Sequence, residues 1–145
     1  MAYERIHNKD VNWRHDELVC DDTDIEPGML CEITSGGLVQ PHSTEGGRAE
    51  RMVALEDALQ GNTVDDDYEE DDIVTLSLAA QHGEYNMIIT GGETISIGDE
   101  LISAGDGKLI ARDNSTSGVT VQETIAIALE AFSATADALL HVRFA

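Results

Sequence analysis

Seven carboxylates crowd one short stretch of this chain: Asp65, Asp66, Asp67, Glu69, Glu70, Asp71 and Asp72, with Tyr68 in their midst. Oxygen-rich clusters of this kind bind hard cations. Asp65, Asp66, Asp67, Glu69 and Glu70 are therefore candidate ligands for Mg, Ca, Na or K ions at an acidic surface. The residue order of an EF-hand loop is missing, and no glycine stands at its turn position. The plainer reading is a solvated loop screened by bulk ions. Beyond such ions no cofactor is expected. A second set of metal-capable types, His15, Cys20, Cys31 and His42, has the spacing H-x4-C-x10-C-x10-H. It lacks the tight C-x2-C pair that pre-positions two zinc ligands, so buried or free thiols are the simpler expectation.

Catalytic and phosphate-binding patterns are thin. The stretch GDELISAGDGKLIAR, residues 98–112, is rich in glycine, but Gly105-Asp106-Gly107 leads into the strand-like Lys108-Leu109-Ile110-Ala111. A phosphate cradle needs a helix N-terminus there. Asp106-Gly107 instead reads as a tight hairpin turn. The chain holds no G-x-S-x-G and no H-E-x-x-H, the patterns of a nucleophile elbow and a zinc protease. His7, His15, His42, His82 and His141 are scattered. A lone His141 beside an apolar strand face is more often packed or exposed than catalytic. Asn114-Ser115-Thr116 matches a glycosylation acceptor, a pattern that arises often by chance. No enzymatic activity is expected.

Charge bounds the partners. The 145 residues carry 29 acids against 8 bases, a formal net charge of −21, and only Lys9 and Lys108 are lysines. The acids run along the whole chain between good strand patterns, which argues against a disordered tail. Self-repulsion of this size is tolerated when salt screens it. Acid excess, little lysine and few aromatics together read as a halophile's protein, with an ordinary acidic protein as the alternative. Direct contact with nucleic acid or with an anionic membrane is disfavoured. There is no apolar run long enough to span a bilayer, and the first 24 residues show no apolar signal-peptide core.

The elements that must hold these residues read as strands. Residues 1–24 are polar, show neither helical nor strand period, and are expected to form an extended arm with Trp13 alone in it. From residue 25 onward, short apolar runs alternate with Gly, Pro and Asp turns, as in an all-β barrel or sandwich. Arg51–Asp57 reads as a strand or the start of a helix. The VQETIAIALEAFS stretch reads as one long strand with Ile125, Ile127 and Leu129 on a shared face. Leu140, Val142 and Phe144 share a face of the last strand. The expected organisation is an arm over 1–24 and a barrel domain over 25–145. A hint of duplication runs through it: PGMLCEITSGGLV followed by MVALEDA resembles IGDELISAGDGKLI followed by IALEAF. Gly28 and Gly98 lie 70 residues apart, and Ala54 and Ala128 lie 74 apart. A duplicated barrel and chance similarity among short β patterns are both open.

The GDELISAGDGKLIAR hairpin, the following IALE strand and the earlier MVALEDALQGNTVDDDYEEDDIV resemble head decoration, or cement, proteins of tailed phages and tailed archaeal viruses. The resemblance covers about residues 25–145 and departs from that family in its acidic loops and long N-terminal segment. It implies a single β-barrel-like domain of the β-tulip kind that sits as a homotrimer on the outer surface of a capsid. The implied partner is a major capsid protein of the HK97-type fold, and the work is to oppose internal DNA pressure after the shell expands. The protein would be made in the host cytoplasm and end in the virion. Tyr3, Arg5, Trp13 and Arg14 are the candidate contacts to capsid or neighbouring subunit, with Trp13 as an aromatic anchor or, alternatively, a cap on its own barrel. Rival classes are a turret or tail component, an acidic halophilic binding module with a cation site, and an enzyme whose residues are too dispersed to recognise.

Overall fold

The computed structural model describes residues 3–9, 14–113 and 122–145. Among these it contains eleven strands and a single 3-10 turn, Ala58–Gln60, with no α-helix. The strands are β1 (His7–Lys9), β2 (Arg14–Val19), β3 (Leu30–Ile33), β4 (Val39–Pro41), β5 (Met52–Ala54), β6 (Ile73–Leu78), β7 (Glu84–Ile89), β8 (Glu100–Ser103), β9 (Leu109–Ala111), β10 (Ala126–Ala128) and β11 (Ala138–Phe144). The all-β, barrel-like expectation is correct.

The second half closes on itself. Its strands run β7-β11-β10-β8-β9, and β9 returns to β7 through a parallel pairing of Leu109 with Ile89. β1 is added on the outer edge of β7. The first half follows the same plan in the order β2-β6-β5-β3-β4. It too returns through one parallel bridge, Val39 to Cys20, just past β2. The correspondence holds bond by bond. Gly28 N–H donates to Ala54 O, and Gly98 N–H to Ala128 O, both at 2.8 Å. Leu55 N–H donates to Thr75 O, and Leu129 N–H to His141 O. Bridges Ile25–Tyr68 and Ile95–Phe132 also correspond. The duplication hinted at in the sequence is therefore real in the fold: one five-stranded barrel is built twice.

Each barrel has its own apolar cluster, and the clusters interlock. Tyr85, Met87, Ile89, Leu101, Leu109, Leu140, Val142 and Phe144 fill the second barrel. Cys20, Cys31, Val39, Met52, Val74 and Leu76 fill the first. Leu30, Val53 and Leu55 leave the first barrel to join the second cluster, while Ile88 joins the first. Each such side chain, fully buried, contributes roughly 1.5–3 kcal/mol. The shared packing makes the two barrels one domain.

Two expectations need correction, and one open alternative is settled. Residues 7–9 and 14–19 are strands, not stretches without strand order. β2 pairs along its length with β6, yet almost all of its residues are exposed. A strand that buries neither face leaves no alternation to read. Second, β10 is three residues long, and its inward side chains are Ala126 and Ala128, whereas Ile127 is only half-buried. Bulky Leu101, Val142 and Phe144 already fill the lumen there, so small residues must face them. Met52–Ala54 is strand, which settles the ambiguity left by its helix formers. The Leu140, Val142 and Phe144 face is buried as expected. Gly105-Asp106-Gly107 is a hairpin turn: Ala104 N–H donates to Lys108 O at 2.9 Å.

Candidate interaction surface

The N-terminal segment is anchored to both barrels by equivalent residues. Glu56 and Glu130 end the two matching Ala-Leu-Glu runs. The Glu56 carboxylate accepts Ile6 N–H at 3.0 Å, and the Glu130 carboxylate accepts the Tyr3 hydroxyl. Burial, followed by this Glu130 contact, pushes the Tyr3 hydroxyl up to about 12. Ile6 is fully buried in the second barrel's cluster. Asn86 completes the clamp, donating to Arg5 O and accepting from Asn8 Nδ2, both at 2.8 Å. Residues 3–9 therefore pack on their own domain. The Arg5 side chain is exposed, and Arg14 is exposed at the start of β2. Trp13 lies outside the described residues, as does the Asn114-Ser115-Thr116 sequon.

The acidic loop is organised around a buried tyrosine. Tyr68 donates its hydroxyl to Leu55 O at 2.6 Å. Asp66 Oδ2 caps the turn by accepting Thr63 N–H at 2.7 Å, and Asp72 Oδ2 accepts Glu69 N–H at 2.8 Å. Asp65, Asp66, Asp67, Glu69 and Glu70 are all exposed. Two of them meet another candidate set: Asp65 and Asp67 line a cleft of about 480 Å3 with Tyr3, Glu26, Pro27 and Asp137. Burial and then the nearby acids Asp24, Asp66 and Asp65 raise the Asp67 carboxyl. Burial and Asp67 likewise raise Glu26. Lys108 stands at this end of the molecule and pairs with Asp137 at 2.7 Å. Among the described residues no group of three or more His, Cys, Asp or Glu side chains is placed to hold a metal ion.

The His15, Cys20, Cys31 and His42 set is dispersed by function. Cys20 and Cys31 are buried free thiols in the first barrel. Burial and the adjacent Asp24 and Asp72 push the Cys20 thiol up to about 11. Burial also raises Cys31. His15 is exposed on β2. His42 is buried, with Nδ1 2.6 Å from Ser103 Oγ and Nε2 3.0 Å from Arg48 O. Nε2 donating to that carbonyl leaves Nδ1 to accept the Ser103 hydroxyl. This pair resembles a nucleophile and its base, but Ser103 is fully buried. It ties the end of β4 to β8 across the two barrels.

Residue types alone missed the most informative surface. Among the described residues five large apolar side chains are exposed: Val19, Ile33, Leu59, Ile73 and Ile97. Ile97 sits at the tip of the turn before β8, in the position that Pro27 occupies before β3. Pro27 and Gly28 are buried against the second barrel, whereas Ile97 and Gly98 are exposed. The signal available in the sequence was the repeated turn itself, PGM against IGD.

No family model matches the chain, and no curated protein matches it in sequence. A solved structure does share the fold: the head fiber gp8.5 N base of bacteriophage phi29. It aligns with a TM-score of 0.59 at 12% identity, over 92% of this chain and 95% of that one. The likeness covers both barrels and establishes a shared architecture.

Proposed function

We propose that this chain is a virion structural protein, a capsid decoration or cement protein carried on the outer face of a viral head. The observation that carries the reading is the end-to-end fold match to a phage head fiber base. In the finer form of the proposal it binds as a homotrimer to a shell of HK97-type major capsid protein, where capsomers meet, and opposes their separation by packaged DNA. Many copies make individually weak contacts add up through effective concentration. The net charge of −21 supports an outward station, away from DNA, and a virus of a salt-loving host. Tyr3, Arg5, Trp13 and Arg14 remain the proposed contact residues, and Asp65, Asp66, Asp67, Glu69 and Glu70 the proposed seats for screening cations. No catalytic role is assigned.

The same match supports a second reading within virions, the base of a longer surface appendage. Heads stripped of the protein and incubated with it at about 3 M salt distinguish the two. Saturable co-sedimentation that raises the temperature of DNA release is expected for a cement protein. Binding that leaves the release temperature unchanged favours an appendage base. Absence of binding overturns both.

A further inference from the structure

The duplication makes one interface visible twice, once covered and once open. Inside the chain, the turn before β3 docks on the outer face of the second barrel. A Cβ placed on Gly28 would lie 2.7 Å from Leu139 Cδ2 and 3.3 Å from Asn86 O. Ile88 N–H donates to Gly28 O at 3.1 Å. Ile88 and Leu139 are direct partners across β7 and β11. Together they form the apolar seat for that turn.

Each part of this seat has an equivalent in the first barrel. The closing bridges equate Cys20 with Ile89, so Val19 equals Ile88. The pairings of Ala54 with Leu76 and Ala128 with Val142 equate those partners, so Ile73 equals Leu139. Val19 and Ile73 are again direct partners. They are 38% and 58% exposed, although Ile88 is buried. The docking element has its copy as well. Gly98 has the same left-handed backbone as Gly28, and nothing lies within 4 Å of a Cβ placed on it. Ile97 beside it is 71% exposed. A third pair agrees: a Cβ on Gly107 would meet Pro41 and Met29, while its equivalent Gly37 faces open space.

We propose that the Ile97-Gly98 turn of one copy docks on the Val19–Ile73 seat of a second copy, head to tail, repeating between chains the contact made within one. Cys20 N–H donates to Asp72 O across the sheet. The preceding Val19 N–H therefore points to the outer edge of β2, toward the place where Gly98 O of the second copy arrives. The intermolecular version is more polar. Asp99 and Glu100 stand where Met29 and Leu30 stand in the covered copy. A contact between acids needs salt to form. Because a turn meets a seat on a different barrel, the interface is heterologous and produces a ring when its rotation closes. Three chains would then present six barrels. This deepens, and in ring size rests on, the homotrimer of the proposed function.

Cross-linking between two single-cysteine additions tests it. Ile97→Cys and Ile73→Cys proteins are mixed at about 3 M salt and treated with a short bis-maleimide. Both positions are exposed, and the native thiols are buried. Val19→Cys replaces Ile73→Cys in a second mixture, as a control for local disturbance. The expected result is covalent product in both mixtures, at least tenfold above each variant alone. Three results overturn the inference: Ile97→Cys linking chiefly to itself, which marks a two-fold contact; no product above the single variants; and a monomeric mass for the unmodified chain at every salt concentration. Mixed product from a chain that fails to bind heads supports this interface and overturns the capsid reading alone. Binding to heads without mixed product does the reverse.

Discussion

The two barrels share a hydrogen-bonding plan, matching turn glycines and matching Ala-Leu-Glu runs, and differ in how their ends are filled. In the second, Tyr85 and Phe144 close one end of the lumen as an edge-to-face pair, ring centroids 5.4 Å apart. The corresponding positions in the first barrel hold Asp16, which is exposed, and Leu78, which is half-buried. Ser103, buried beneath His42, corresponds to Ile33, which is 48% exposed. Backbone groups must be paired whatever the side chains are. The plan therefore survives substitutions that convert a sealed core in one barrel into an open end in the other. The lesson is a division of labour. The second barrel supplies most of the deep core, and the first keeps apolar side chains at its surface, where a partner can use them.

The largest expected contrast lies at the closed end. Phe144→Ala removes a fully buried ring and should cost about 3–5 kcal/mol. Leu78→Ala, at the equivalent position, should cost at most about 2 kcal/mol, since that side chain is only half-buried. Chemical denaturation of both variants measures the difference, and equal losses would break the comparison. The next contrast is at the docked and undocked turns. Gly28 and Gly98 have φ of 97° and 93°, so alanine is strained at both by roughly 1–2 kcal/mol. Gly28→Ala also pushes on Leu139 and should cost about 1 kcal/mol more. A larger loss from Gly98→Ala in the monomer would contradict the assignment of covered and open sides.

Smaller effects sharpen the picture. Ser103→Ala strands His42 Nδ1 in the interior and should cost about 1–3 kcal/mol. Ile33→Ser, at the matching exposed site, should stay within about 0.5 kcal/mol. The last contrast is electrostatic. The hydrogen bond from Lys108, then Gly91 N–H, holds the Asp137 carboxyl below its ordinary range, and Asp137 holds Lys108 above its own. The stability Asp137 adds is present above the ordinary carboxylate value and disappears as pH falls through its lowered one. That of Lys108 is present below its ordinary value and disappears as pH rises through the raised one. Asp137→Asn should therefore destabilise at neutral pH by up to about 1 kcal/mol, with the gap closing on acidification. Glu26 is raised by burial and Asp67, so its sign is opposite. Glu26→Gln should stabilise at neutral pH and lose that advantage as pH falls below the carboxylate range. Melting temperatures across pH follow both variants.

Much of this fold was legible in the sequence because turns state their backbone demands openly. Asp106-Gly107 announced a hairpin, and Gly28 and Gly98 marked equivalent turns that require a left-handed residue. Leu140, Val142 and Phe144 announced an inward face. β2 was illegible because it buries neither of its own faces. The reading of Ile125, Ile127 and Leu129 as a shared face of one long strand failed because β10 spans only Ala126–Ala128 and turns its two alanines inward, opposite Leu101, Val142 and Phe144. The N-terminal clamp was hidden too. That the glutamates of both Ala-Leu-Glu runs would grip residues 3–6 depends on where the barrels stand. The open seat required strand register: Val19 and Ile73 are 54 residues apart in the chain and become neighbours only through β2–β6 pairing.

In the proposed assembly one turn-and-seat contact is satisfied within the chain and the other is left for a second copy. Solution mass at about 3 M salt, where screening is effective within a few ångströms, tests it most directly. The unmodified chain should weigh three times its 15.6 kDa, and Ile97→Asp should fall to the single-chain mass while keeping its fold. A single-chain mass for the unmodified protein, or an Ile97→Asp variant that assembles as well as its parent, would contradict it.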